Sequence, residues 1–485
     1  MKDLQQNQCS KHQSFEDSLK IIDQIAISML ATLNRLPRRS IVVAELFLRL
    51  MYLLILLLGT LSTTSNAATA AFSSSKGPVY KANTIRSATN RLTTTQIAST
   101  QDGANDESVI KPTVIVAGAT GYIGRAVVQE SVRQGYHTVA LVRDANKVLY
   151  GDQQSSFQQY FDGAKVVQCD VTDPQQLETR FQEIAATCPV TSSHGGTKKD
   201  VVIVSCLASR SGVKRDAYKI DYEASLNCLH AGQAIKAKQY VLLSAFCVAK
   251  PKLYFQRAKL KLERAIVEQQ RESTEGMTYS IVRPTAFYKS LSGKLDNLLN
   301  ETPYVLFGNG ELTRCNPIAE RDLADFMLGC IHDKERQNQI LNVGGPDEPT
   351  TNKQQALLLS EIVQKEPKFV YIPTGILDFL VNTFQWLGTI TNSEKLQNGA
   401  EIARIIKYYA EEDMLTTKPN EIYGSMTLRQ HFEKIVAEGQ EYDPYVAIYT
   451  RGGKSSQVPS PPIQSDPSSP TSTTTSAAKQ ATIKV

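Results

Sequence analysis

VIVAGATGYIGRAVVQESVRQGYHTVALVRD, Val114 to Asp144, decides the fold of this 485-residue chain. Three β-branched residues, Val114, Ile115 and Val116, feed a turn in which Gly118, Gly121 and Gly124 follow the spacing G-x-x-G-x-x-G. An amphipathic helix comes next, and then a second apolar run ending at Val142. A dinucleotide pyrophosphate must lie against bare backbone amides at a helix N-terminus, and any Cβ would hold it off. A glycine triad by itself is weak, and a tight turn without a ligand is the plain alternative. This triad follows a strand, opens a helix and completes a βαβ unit of about thirty residues, the context the motif requires. Gly118, Thr120, Gly121, Tyr122, Ile123 and Gly124 are therefore expected to hold the phosphates.

The end of the second strand selects between the two dinucleotides. A carboxylate there accepts hydrogen bonds from the ribose of NAD, and an arginine pairs with the 2′-phosphate of NADP. TVALV ends in Arg143, with Asp144 next and Lys147 a helical turn later. The arginine fork suits a phosphate and Lys147 adds a second positive charge. Asp144, one position late, reads as the N-cap of the following segment. NADP(H) is the expected cofactor, with Arg143 and Lys147 as its determinants.

Composition narrows the class. Fifty-three basic against 48 acidic residues leave a net charge of +5. In the globular part these form no clustered basic run with interleaved aromatics, so a nucleic-acid partner is not expected. The eight cysteines show no C-x-x-C or zinc spacing and read as reduced, structural thiols. The six histidines form no H-x-x-x-H or H-E-x-x-H pattern, and no metal is expected.

The ends read as separate from the fold. Ile41 to Leu61 is mostly apolar, preceded by Arg35, Arg38 and Arg39 and followed by small residues. Its unbroken core, Met51 to Leu58, is short for a membrane span and resembles a secretory-type signal. Ser73 to Thr100 is hydroxyl-rich and acid-free, like a plastid transit peptide. Together they resemble the bipartite leaders of secondary plastids, with the mature chain starting near Phe72 or somewhat later; a retained anchor is the competing reading. The division expected is 1–110 leader and linker, 111–285 NADP-binding domain, 286–450 substrate-binding region and 451–485 a Ser/Thr/Pro-rich tail that cannot bury enough apolar surface to fold.

From Thr113 strands and helices alternate, with further strands at KVVQ, DVVIVSCL, YVLLS and YSIVRP. The pattern predicts a doubly wound, Rossmann-type parallel α/β sheet with a smaller C-terminal region, its ligands at the carboxyl ends of the strands. Asp170 after the third strand could meet the adenine, while Asp173 reads as a helix cap. Ala208-Ser209-Arg210 after the fourth would let the nicotinamide ribose approach closely, and Arg283-Pro284-Thr285 after the sixth borders the nicotinamide. Arg283 reads equally well as a structural ion pair.

The fifth strand leads into a helix carrying FQRAKLKLERAI. This layout resembles the extended or atypical short-chain dehydrogenases/reductases, of the NmrA-like NAD(P)-binding kind. Most of that superfamily carries Y-x-x-x-K on this helix, a tyrosine as proton donor and a lysine on the nicotinamide ribose. Here Phe255 stands four before Lys259, and Tyr254 is about 100° away around the helix. Lys259 remains as ribose holder and catalytic residue without the acid, which points away from ketone chemistry and toward a carbon–carbon double bond, or to no catalysis. FQRAKLKLE, YSIVRPTAFYKSL, PYVLFGNGELTRCNPIAERDLADF, NVGGPDE and EIARIIKYYAEEDML resemble the NADPH-dependent 8-vinyl reductases of chlorophyll biosynthesis, from about Lys111 to Tyr449.

That resemblance implies a plastid enzyme that reduces the 8-vinyl group of divinyl chlorophyllide a or protochlorophyllide to ethyl. It leaves peripheral association with plastid membranes open. Lys259 and Arg257 are placed beside the nicotinamide, and Phe287, Tyr288, Lys289 and Lys294 toward the substrate. Phe307, Phe384 and Trp386 are candidate walls for a flat apolar ligand, although aromatics at helical spacing are more often core. The rival readings are a noncatalytic NADP(H)-binding NmrA-like regulator, a plastid assembly or RNA-associated factor, and an isoflavone-reductase-like double-bond reductase.

Overall fold

The computed structural model describes residues 111–150, 158–189, 191–193, 196–198, 200–272 and 276–438. The expected leader, 1–110, and the expected tail, 451–485, lie outside them.

Strand β1 (Thr113–Ala117) runs into helix α1 (Tyr122–Arg133), and β2 (His137–Val142) into the short α2 (Ala145–Tyr150). Strand β3 (Lys165–Gln168) leads to α3 (Pro174–Thr187), and β4 (Val201–Ser205) to α4 (Ser225–Ala234), entered through a π-helical stretch, Tyr218–Ala224. Strand β5 (Gln239–Leu243) precedes the long α5 (Tyr254–Glu272), and β6 (Thr278–Pro284) precedes α6 (Lys289–Leu299). Beyond these come β7 (Tyr304–Phe307), α7 (Glu320–Gly329), β8 (Gln339–Val343), α8 (Asn352–Val363), β9 (Phe369–Ile372), α9 (Gly375–Ile390), α10 (Glu394–Glu411) and α11 (Leu428–Glu438).

Seven strands form one parallel sheet in the order β8-β6-β5-β4-β1-β2-β3. Every residue of β1, β4 and β5 is buried, because helices cover both faces; such strands read as continuous apolar runs rather than alternating ones. Side-chain alternation splits β1 between two cores. Val114 and Val116 pack with Val127 of α1 and Met327 of α7. Ile115 packs with Phe181 of α3, Cys228 of α4 and Leu262 of α5.

A third core, built from Tyr288, Leu295, Tyr304, Leu359 and Phe432, lies under the C-terminal region. β8 lies within the span expected to be substrate-binding and pairs in parallel with β6 through Gln339↔Ser280 to Val343↔Pro284. It satisfies an edge of backbone donors and acceptors that β6 would otherwise expose. All seven described cysteines are free, and only Cys315 is not fully buried. Among the described residues no helix is long and apolar enough to cross a membrane.

Candidate active site

At the crossover from β1 to its neighbours β2 and β4 the strand order reverses, and the turn after β1 enters the crevice this creates. Gly118 has φ +76°, and a Cβ on it would stand 2.8 Å from the backbone carbonyl of Cys206. A Cβ on Gly124 would stand 2.1 Å from the Gly118 carbonyl oxygen. Only glycine fits either place. Gly121 donates to that same oxygen at 2.9 Å and is the N-cap of α1. It offers no side-chain cap, and the first turn of the helix carries no acid. Backbone amides and the positive end of a twelve-residue helix are thus left for an anion. Thr120 and Tyr122 are half-buried beside them. Ile123 instead packs into the core, so it offers the site backbone and support.

Asp144 accepts a hydrogen bond from the Lys147 amide at 3.0 Å and so caps α2. Arg143 is exposed and engages no ion pair among the described residues; Lys147 is exposed beside it. Asp170 accepts from the amide and hydroxyl of Thr172, both at 2.9 Å. Those bonds, the amide's first, hold its carboxyl below the usual range, helped by the nearby charge of Arg143. Asp173 caps α3 through the amides of Gln175 and Gln176.

A cavity of about 570 Å³ opens at the carboxyl ends of β4, β5 and β6. Ala208, Lys259, Pro284 and Phe287 line it, as does Phe255. Lys259 is only 6% exposed, and its ammonium reaches Asp221 at 3.2 Å and the carbonyls of Leu207 and Leu243 at 3.3 Å. Asp221 was not legible as a site residue: KIDYEASLNC reads as an ordinary helix. The π-helical stretch carries its carboxylate under the ammonium. There Oδ1 also accepts from the Ser209 amide at 3.3 Å, and Oδ2 has no hydrogen-bond partner among the described residues. Tyr254 is not among the cavity residues; its ring lies near Lys214 and Arg257, 5.9 and 6.0 Å from their charges.

Several expected positions move. Arg257 is exposed and donates to the Pro251 carbonyl, so it faces away from the cavity it was expected to border. Arg283 resolves as structural: it pairs through two nitrogens with the buried Glu263, which also accepts from Ser244. Tyr288 is not among the residues that line the cavity. It is fully buried in the third core, its hydroxyl on Asp347 and the Met426 carbonyl, because the step from β6 to α6 turns it inward. Lys289 stands over the Tyr122 ring at 5.1 Å, beside the glycine turn rather than in the cavity. Lys294 donates to Gln355 and Asn352 behind the cavity wall, and desolvation pushes its pKa down to about 8. Of the three aromatic walls, Phe307 lies on β7, Phe384 packs toward Gly399 and Trp386 is 48% exposed; none lines the cavity. Ile405, Tyr409 and Met414 supply apolar wall instead.

An NAD(P)H-binding family model matches residues 118–334. The chain is 40% identical over 335 residues to the divinyl chlorophyllide a 8-vinyl-reductase of Arabidopsis thaliana, covering 67% of this chain and 77% of that protein. It is 38% identical over 352 residues to the corresponding protein of Cucumis sativus, covering 71% and 80%. A photosystem II assembly factor of Cyanophora paradoxa is more distant, at 23% identity over 279 residues, 56% of this chain and 76% of that one. The level and extent of the first two matches place the chain: it belongs to the divinyl chlorophyllide a 8-vinyl-reductase family.

Proposed function

We propose that this chain uses NADPH to reduce the 8-vinyl group of divinyl chlorophyllide a, or of the corresponding protochlorophyllide, to ethyl. One observation carries the reading: Lys259 faces a largely apolar cavity next to a glycine cradle, with Phe255 where a carbonyl reductase would place its acid. Held by these residues, NADPH would supply the hydride that one vinyl carbon needs, and the other carbon would need a proton. Conjugation with the macrocycle spreads the charge that develops between these events, so the demand on a local acid is modest.

The chain's own residues bind and orient. Gly118, Thr120, Gly121, Tyr122 and Gly124 offer backbone to the pyrophosphate, with Ile123 packed beneath. Arg143 and Lys147 face the 2′-phosphate, and Asp170 lies on the adenine side. Ala208 and Pro284 leave room for the nicotinamide. Lys259 donates to Asp221 and to the Leu207 and Leu243 carbonyls, and a ribose hydroxyl would replace one of those carbonyls as the acceptor of an N–H. Phe287 contributes apolar wall to the substrate side.

The direct test is NADPH oxidation on addition of divinyl chlorophyllide a, with the ethyl product identified by chromatography. An NADP(H)-binding regulator or assembly factor would bind NADPH and turn nothing over, and that result would end the enzymatic reading. Arg143→Ala removes one charge-assisted pair, so the KM for NADPH should rise roughly ten- to hundredfold. The weaker reaction with NADH should hardly change. Equal losses with both cofactors would mark Arg143 as structural.

Work in the plastid follows from the pigment substrate. The basic flank, short apolar core and acid-free stretch before Thr100 support entry by a bipartite leader into a secondary plastid. A peripheral hold on the membrane is supported by α9, where Ile376, Phe379, Trp386 and Ile390 are all exposed and share one helical face. Fractionated plastids should yield a chain that begins near Phe72 or somewhat later by mass spectrometry, partly membrane-bound and released by carbonate. A recovered chain still carrying Leu53 to Leu58 would favour an integral anchor.

A further inference from the structure

We propose that Arg314 is the anchor for the substrate's propionate carboxylate, which makes the site selective for the free acid over its ester. This rests on the pigment reading above. Of the cavity's other charged residues, Arg210 stands on the loop after β4, at the sheet end, and the rest are already matched. Lys259 pairs with Asp221, and Glu412 is held by Lys250 at 2.6 Å and Lys252 at 2.5 Å. Arg314 lines the same cavity, is exposed, and engages no ion pair among the described residues.

Its backbone is fixed on three sides. Arg314 pairs with Thr351 across a two-stranded sheet, its amide donates to Asp413 at 2.8 Å, and its carbonyl accepts from the Met414 amide at 2.9 Å. A planar guanidinium projecting from a pinned strand suits two-point capture of a carboxylate. The lysines that the sequence placed toward the substrate are engaged elsewhere, Lys289 over the Tyr122 ring and Lys294 on Gln355 and Asn352.

The substrate's own geometry agrees. The ring that bears the 8-vinyl group lies diagonally across the macrocycle from the ring that bears the propionate. With the vinyl held on the sheet side, where Lys259 and Pro284 are, the carboxylate is carried toward the C-terminal wall. Arg314 lines that wall together with Ile405, Tyr409 and Met414.

The test compares divinyl chlorophyllide a with its methyl ester on the full chain at saturating NADPH, in wild type, Arg314→Gln and Arg314→Lys. The expected wild type prefers the acid by about tenfold in kcat/KM, mostly through KM. Arg314→Gln should bring the acid down to the level of the ester, and Arg314→Lys should recover part of the preference. Equal losses on acid and ester, or a wild type indifferent between them, would overturn the assignment. Binding of both pigments is titrated in parallel by quenching of their fluorescence. If wild type reduces neither compound the proposed reaction fails, yet the acid-over-ester preference in binding, and its loss in Arg314→Gln, still decides the role of Arg314.

Discussion

Lys259→Ala should lower turnover by at least a hundredfold, because a displacement of about 1 Å between reacting atoms can cost that much. The structure adds a second consequence. The Asp221 carboxylate is 1% exposed, with Lys259 as its only ion-pair partner among the described residues. Removing the lysine leaves that charge buried and uncompensated, which destabilises a fold by roughly 3–5 kcal/mol. A low rate in the single variant therefore mixes lost orientation with lost folding. The double variant Lys259→Met, Asp221→Asn separates them: its melting temperature should return most of the way toward wild type while turnover stays at least a hundredfold down. Recovery of turnover along with the fold would show that Lys259 is structural. Tyr254→Phe is the companion measurement. Its ring lies near Lys214 and Arg257 and outside the cavity, so the rate should be nearly unchanged. A dead Tyr254→Phe enzyme would make that phenol the proton donor.

Gly124→Ala should be almost as damaging by a different route. The new Cβ would stand 2.1 Å from the Gly118 carbonyl oxygen and 2.8 Å from its carbon, both backbone atoms that cannot rotate aside. Relief requires the turn to lift off α1, and the turn is also hemmed in where Gly118 meets Cys206. Overpacking of this kind costs about 1–3 kcal/mol of stability. NADPH binding should suffer more, since the amides that face the pyrophosphate move with the turn; a loss of about a hundredfold in Kd is expected by calorimetric titration. Binding at wild-type strength would mean that the phosphates do not lie on this turn.

The two predictions differ in how far each was legible. Gly124 could be argued from spacing alone, because a strand, a glycine turn and a helix within thirty residues leave few alternatives for the backbone. The same locality explains Asp144: the N-cap role needs only the residues that follow, and the structure places its carboxylate on the Lys147 amide. Parallel topology was equally open to reading, since fully buried strands such as β1 and β4 show themselves as continuous β-branched runs.

Tyr288 shows where this ends. Three consecutive residues, Phe287, Tyr288 and Lys289, were expected to face one ligand, yet one lines the cavity, one is buried under Met426 and one covers the Tyr122 ring. Neighbours along a turning chain point in different directions, and only the packing of α6 on α8 and α11 decides which. The Arg283–Glu263 pair joins β6 to α5 across twenty residues, and the Lys259–Asp221 pair joins α5 to the π-helical stretch across 38. Neither partner could be named without the three-dimensional register, and the π-turn that aims Asp221 has no periodic signature. By itself, then, the sequence determined what local geometry compels: the glycine cradle, the helix caps, the parallel sheet and the missing tyrosine. Tertiary structure alone decided which charges meet and which side chains reach the cavity, because those contacts join elements far apart in the chain and depend on how whole helices pack.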